Sequence, residues 1–290
     1  MKIALRNYTL DLGARPHVMG ILNLTPDSFY DGGKHVAGAA VEHARQMASE
    51  GADIIDVGGE STRPGSASVD AAEEIRRIGP VVERLVAEIK VPISVDTRKA
   101  LVAAEMLRLG AHMINDVSGL AHDPEMARVV SESGAAVVIM HMRGTPETMQ
   151  QMTGYGDVVG EVKQELAERI GYAEASGIGP DRIVVDPGIG FAKTAEQNLE
   201  LIGRLGELAG LGKPVLVGPS MKSFIGKALG LEPGDRGEAT IACCLVAAAR
   251  GAHIVRVHNV GGVARALAMA DRINRAARPE AGALGGRLGR

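Results

Sequence analysis

The sequence reads as α/β: a closed (β/α)8 TIM barrel preceded by a short N-terminal β-hairpin. Three observations predict this architecture. Eight apolar runs recur, at 17–23, 53–59, 92–97, 113–119, 135–142, 183–188, 214–220 and 253–260. The stretches between them carry the three-and-four spacing of amphipathic helices, and strands alternating with helices imply parallel crossovers. The length, 290 residues, suits a single barrel, which typically takes about 250. A doubly wound open sheet is the competing architecture. It uses fewer strands, and no well-placed G-x-G-x-x-G follows the first run.

Taken in order, residues 3–12 form the hairpin ahead of the repeat. Between the second and third runs, Ile75, Ile78, Val82, Leu85 and Ile89 stripe a helix, and Asp70 with Glu73 forms a capping pair at its start. Val162, Leu166, Ile170 and Ala173 stripe another, and Thr194 with Gln197 opens a third. Two connections after strands are long, Thr25–Lys34 and Arg143–Asp157, and mobile lids belong in such places. The expectation is one barrel domain over 1–278, with a frayed, disordered tail at 279–290 that is rich in Gly and Arg.

Composition removes several function classes. A net charge of -3 gives no polyanion-binding surface, so no nucleic-acid partner is expected. No run of 18 apolar residues and no signal-peptide pattern occur, so no membrane partner is expected. Cys243 and Cys244 are adjacent in a helical pattern and cannot staple distant segments, which favours the reducing cytoplasm. Aromatic residues are 2% of the chain, and Phe29, Phe191 and Phe224 all fall in or beside Gly-rich turns. The core is therefore aliphatic, and the rings are held for loops, where they suit stacking on a flat ligand.

A barrel carries its active site at the C-terminal ends of its strands. Reading those ends gives Asn23; Glu60, Thr62 and Arg63; Asp96; Asn115 with Asp116; His141; Asp186; Ser220 with Lys222; and Arg256 with His258. Asp96, Asn115 and Asp186 suit a ring bearing several N–H donors and a guanidine-like edge, because a carboxylate accepts two parallel N–H bonds there. Lys222 would meet a ring carbonyl or nitrogen. Arg63, Arg256 and His258 supply positive charge, and barrels often bind phosphate near strands seven and eight. The densest stretch is Ile183–Phe191, a buried strand that ends in Asp186, Pro187 and a turn with Gly188 and Gly190. Those glycines imply a sharp turn and a close approach.

Each residue also has a structural reading. Asp96 could cap the helix that follows, His141 reads more readily as a satisfied core histidine than as a catalyst, and Asp116 points away from Asn115 along the strand. Glu60 reads either way. Eight structural explanations at once are less economical than one site.

The segments Ile21–Phe29, Asp56–Gly65, Ser94–Thr97, Asn115–Asp116, Asp186–Phe191 and Arg256–His258 closely resemble those of the dihydropteroate synthase family, in the expected order from about residue 17 to 270. The resemblance implies a cytoplasmic, homodimeric, Mg²⁺-dependent transferase of folate synthesis, built as a pterin-binding barrel. Such enzymes join 6-hydroxymethyl-7,8-dihydropterin diphosphate to p-aminobenzoate by an SN1-like displacement. It implies that Asp96, Asn115, Asp186 and Lys222 bind the pterin, that Asn23 helps hold Mg²⁺, and that Arg256 and His258 bind the diphosphate. Thr62, Arg63, Ser220 and Phe191 would form the p-aminobenzoate side, with Asp27 and Phe29 on a closing loop. One position departs from the family: Ser220-Met221-Lys222 stands where Ser-Arg-Lys is usual, so Met221 replaces an arginine and removes a fixed charge and up to five donors. Two alternatives stay open at this level, a pterin-binding methyltransferase with a corrinoid partner and a paralogue that binds pterin without turnover.

Overall fold

The computed structural model describes residues 1–25, 34–61 and 68–277. Strands β1 (Lys2–Leu5) and β2 (Tyr8–Asp11) pair antiparallel as the predicted hairpin. Eight parallel strands follow: β3 (His17–Asn23), β4 (Ile54–Gly58), β5 (Ile93–Asp96), β6 (Met113–Asp116), β7 (Ala136–Met140), β8 (Ile183–Asp186), β9 (Leu216–Val217) and β10 (Ile254–Val257). Their order around the sheet is β8-β7-β6-β5-β4-β3-β10-β9. A bridge between Val185 and Val215 joins the two ends, with the Val185 amide donating to the Pro214 carbonyl at 2.9 Å. Every predicted run holds a strand. The run 214–220 keeps only two ladder residues, because Gly218 and Pro219 follow and Pro has no N–H to donate.

The connecting helices are α1 (Lys34–Ser49), α2 (Ala71–Glu88), α3 (Ala100–Arg108), α4 (Met126–Ser133), α5 (Val158–Ala175), α6 (Ala195–Gly203), α7 (Ser223–Leu229), α8 (Gly237–Ala249) and α9 (Val260–Ala276). Their starts follow the sequence signals. The Asp70 carboxylate accepts from the Glu73 amide at 2.8 Å, and Thr194 and Gln197 satisfy one another's backbone in a full capping box. The α5 stripe of Val162, Leu166, Ile170 and Ala173 is buried.

Strand period places the site. Along each strand, one set of alternate residues (Val18, Ile55, Val95, Ile114, Val137, Val185, Val255) packs outward against the helices. The other set faces inward. Its lower layer is apolar, with Met19, Ile54, Met113, Val138, Val184, Leu216 and Ile254 packed on Ile3, Leu5 and Leu12 of the hairpin segment. The hairpin thus plugs the N-terminal mouth. Two residues further along β4, β6, β8 and β10, the inward positions become Asp56, Asn115, Asp186 and Arg256, and Asp96 of β5 pairs with Asn115 in register. An apolar floor with a polar layer above it is what a two-residue step toward the C-terminal mouth produces.

Candidate active site

Three strands supply the floor of the site, and one cation ties them together. Asp56 is fully buried, and its Oδ2 accepts from Arg256 Nε at 2.6 Å and from Asn115 Nδ2 at 3.0 Å. Arg256 Nη2 reaches Asp96 Oδ2 at 2.7 Å. A carboxylate only accepts, so Asn115 must turn its NH2 to Asp56 and offer its carbonyl oxygen as the free acceptor. Burial pushes the Asp96 carboxyl up to about 7, with Arg256 opposing the shift and Asp56 adding to it. Burial works against the Arg256 charge, but Asp56 and Asp96 outweigh it and the net shift is upward. Asp56 Oδ1 and Ser94 Oγ, on paired residues of β4 and β5, have no hydrogen-bond partner among the described residues.

The capping reading of Asp96 does not hold. The first donor of α3, the Ala100 amide, is taken by Asp123 Oδ2 at 2.8 Å. Asp186 is not a cap either, since α6 is capped by Thr194. Its Oδ1 instead accepts from the Gly188 amide at 2.7 Å and holds its own turn.

That turn alternates left-handed residues: Gly188 at φ 72°, Gly190 at φ 85° and Ala192 at φ 50°. Two close approaches explain the glycines. A Cβ on residue 188 would overlap the His141 carbonyl oxygen, and one on residue 190 would come within 3.0 Å of the Lys222 stem. Lys222 Nζ donates to the Ile189 carbonyl and lies 4.6 Å from the centre of the Phe191 ring. Burial lowers the Lys222 ammonium to about 8, although Asp186 pulls it the other way. Burial raises the Asp186 carboxyl, against the nearby Lys222 charge. Phe191 packs with Val117, Met140, Met149 and Ala192, an apolar wall beside these charges.

On the far side, Ser220 Oγ and His258 Nδ1 lie 2.9 Å apart. They border a cavity of about 350 Å³ lined also by Met221, Thr240, Ile241 and Val263. Met221 is itself left-handed, at φ 58°. Its amide donates to Thr240 Oγ1 at 3.1 Å, and its carbonyl accepts from Arg236 Nη1 at 3.1 Å. A non-glycine residue held this way is a strained position that its neighbours over-determine. Asn23, at the end of β3, lies beside Gly58 in the ladder and edges the same mouth.

The structure therefore brings together Asn23, Asp96, Asn115, Asp186, Phe191, Ser220, Lys222, Arg256 and His258. Thr62, Arg63, Asp27 and Phe29 lie outside the described residues. Three strand-end groups point elsewhere. Asp116 accepts from the Ser118 and Leu120 amides at 2.8 and 3.0 Å, which is its structural reading. Glu60 joins a network with Arg98, Lys99 and buried Glu74. His141 is buried and bonded at both nitrogens, to Lys193 and to Glu165. Asp56 is the residue that sequence reasoning left unassigned. An acid inside the run Ile54–Gly58, buried on both faces, was its signal.

Comparison with known proteins follows the same lines. Residues 19–258 match the pterin binding enzyme family. A dihydropteroate synthase of Synechocystis sp. is 49% identical over 263 residues, covering 90% of this chain and 91% of its own. A dihydropteroate synthase of Xanthomonas albilineans, solved with 4-aminobenzoic acid, superposes with a TM-score of 0.89 at 45% identity, over 96% of this chain and 99% of that one. One from the same organism, in complex with 7,8-dihydropteroate, gives 0.87 at 42% identity, over 96% and 100%. This chain belongs to the pterin-binding enzymes and, within them, to the transferases of the dihydropteroate synthase family.

Proposed function

We propose that this chain condenses 6-hydroxymethyl-7,8-dihydropterin diphosphate with p-aminobenzoate, giving 7,8-dihydropteroate and diphosphate by an SN1-like displacement. One observation carries the reading: Asp96, Asn115, Asp186 and Lys222 converge on one mouth, beside the buried pair of Asp56 and Arg256. The carboxylates and the Asn115 oxygen accept from the amino-pyrimidine edge, and Lys222 donates to the ring carbonyl or nitrogen. The apolar wall around Phe191 flanks the ring. Relatives solved with 4-aminobenzoic acid and with 7,8-dihydropteroate support the same pair of ligands here.

In the reaction, the C–O bond between the pterin methylene and the diphosphate breaks, and its electron pair leaves with the diphosphate. The carboxylates around the pterin oppose the positive charge that develops on the methylene carbon. The His258 side of the mouth, with Arg256 behind it, is the side we assign to the leaving group. The arylamine nitrogen then forms the C–N bond and loses a proton. It is neutral near pH 7, so no strong general base is required. We assign its aryl carboxylate end to the cavity at Ser220, Met221 and Thr240.

Mg²⁺ fits this mouth in one mode. Among the described residues no three His, Cys, Asp or Glu groups converge as a cage. Mg²⁺ commonly keeps several waters and takes one or two protein oxygens plus substrate phosphate, and Asn23 is the protein ligand we assign to it. Bound there, the ion would supply positive charge to the diphosphate oxygens. We further infer a cytoplasmic homodimer. Exposed Val246 on α8 and Met269 and Ile273 on α9 give late outer helices apolar surface to pair, and the free, adjacent Cys243 and Cys244 suit a reducing compartment.

The test is direct. Incubation with both substrates and Mg²⁺ should yield dihydropteroate and diphosphate in equal amounts. No product under saturating conditions refutes the reading, and tight pterin diphosphate binding without product would point to the non-catalytic alternative.

A further inference from the structure

The turn that carries Ile189 and Phe191 is held from beneath by a buried cation that the reaction does not use. Lys193 is 3% exposed, and its Nζ has three neighbours: the Gly188 carbonyl at 3.2 Å, the Phe191 carbonyl at 3.0 Å and His141 Nδ1 at 3.0 Å. Burial lowers Lys193 to about 7; in its charged form it has three donors and no acceptor, so all three are matched only if His141 Nδ1 accepts. That fixes the tautomer: the proton sits on Nε2, which donates to Glu165 Oε2 at 3.0 Å. Burial, followed by the charge of Lys193, lowers His141 to about 3, so the ring is a neutral acceptor. Glu165 is anchored in turn by Arg143, which also bonds Glu161 at 2.8 Å and the Gly154 carbonyl at 2.9 Å. A chain of contacts therefore runs from the 143–154 loop, through Glu165, His141 and Lys193, to the turn at 188–191.

The upper side of that turn faces the pterin groups. Its Gly188 amide orients Asp186, its Ile189 carbonyl takes the Lys222 ammonium, and the Phe191 ring flanks that same ammonium. Asn198 Oδ1 accepts from the Gly190 amide at 2.6 Å, so the turn is pinned at its tip as well. We propose that Lys193 is a positioning residue for pterin recognition: clamped by neutral His141, it fixes the 188–191 turn and through it sets Asp186 and Lys222. The inference rests on the reading of those two groups as pterin contacts. Lys193 itself touches no substrate. Of the three left-handed residues in this turn only Ala192, at φ 50°, carries a side chain, and a non-glycine residue stays in that conformation only where its surroundings over-determine it. Lys193 supplies two of those constraints directly.

Two measurements test the clamp. Lys193→Met keeps the length of the side chain and removes all three donors. A misplacement of about 1 Å is worth up to roughly 100-fold in a preorganised site, so pterin diphosphate affinity and kcat/KM should fall by roughly 10- to 100-fold at a temperature where circular dichroism shows the variant folded. The second comparison keeps the lysine, and so survives any misfolding of the first variant. His141→Asn retains an acceptor near Nδ1, whereas His141→Gln retains a polar group near Nε2 and is closer to His in volume. The clamp requires His141→Asn to bind pterin diphosphate more tightly than His141→Gln; a packing role gives the opposite order. A Lys193→Met variant within twofold of the parent, or His141→Gln matching or exceeding His141→Asn, overturns the proposal. Parent turnover is read in the same assay. A parent that makes no dihydropteroate marks failure of the functional reading, and an active parent equalled by Lys193→Met marks failure of the clamp alone.

Discussion

Arg256→Met is the substitution that separates a diphosphate-binding arginine from one that holds the barrel floor together. Met is similar in length but leaves Asp56 and Asp96, exposed 0% and 7%, facing one another without the bonds at 2.6 and 2.7 Å. Removing one partner of a buried ion pair costs about 3–5 kcal/mol. For a chain of this size each kcal/mol moves Tm by about 2–4 °C, so the expected loss is about 6–20 °C near pH 8. The loss should shrink on acidification. The Asp96 carboxyl is already pushed up to about 7 by burial, with Arg256 opposing and Asp56 adding, and losing Arg256 pushes it higher. A carboxyl whose folded value lies above its unfolded value, about 3.9, is protonated first in the folded state. The folded state therefore gains relative stability as pH falls from the upper value toward the lower. Calorimetric unfolding of parent and variant at about pH 5.5 and about pH 8 reads both effects. A loss below about 3 °C and equal at the two pH values would mean that Arg256 is not the keystone of this floor.

Three further outcomes follow from the same geometry. Asp186→Ala should weaken pterin binding by roughly 10- to 100-fold, from charge-assisted bonds worth about 1.5–3 kcal/mol, with an unchanged circular dichroism spectrum because Thr194 caps α6; retained affinity in a titration removes Asp186 from the site. Lys222 is lowered to about 8 by burial against the pull of Asp186, so its donor charge is present below that pH and lost above it. Pterin affinity should then decline as pH rises through about 8, and Lys222→Arg, which stays charged, should abolish that decline even if it binds more weakly overall. Met221→Arg should lower KM for p-aminobenzoate and leave pterin affinity unchanged, since Met and Arg carry the same backbone strain at φ 58° and the change faces the cavity at Ser220 and Thr240.

Much of this site is legible in the sequence because strand period is a strong code. An apolar run that ends in Asn115 or Asp186 points its last polar residue to the same side as the apolar residue two positions earlier, so Met113 in the floor implies Asn115 in the pocket. The same parity sends Asp116 outward to its own turn. Pairing is what the sequence hides. Nothing near Arg256 reveals that its partners are Asp56 and Asp96, 200 and 160 positions away. Lys193 is visible as a charge that closes the Phe191 stretch, but its burial depends on His141 arriving from a neighbouring strand.

The two cations beside Asp96 and Asp186 are held in different ways, and the difference separates the work they can do. Arg256 is bonded to two buried carboxylates, and moving it would strand both. It serves as a fixed platform whose charge makes burial of Asp56 and Asp96 tolerable. Lys222 is bonded to a neutral carbonyl and rests on an aromatic face, with Asp186 acting on it through space. Its ammonium can turn to a ligand atom without leaving an ion pair broken, and its lowered pKa marks how little holds its charge there. Of the two, Lys222 is the donor that can follow the ligand, while Arg256 keeps the acceptors in register. Under the proposed reading, that division would leave discrimination of the pterin edge to Asp96, Asn115 and Asp186, whose orientations are fixed by Arg256, by Asp56 and by the Gly188 amide respectively.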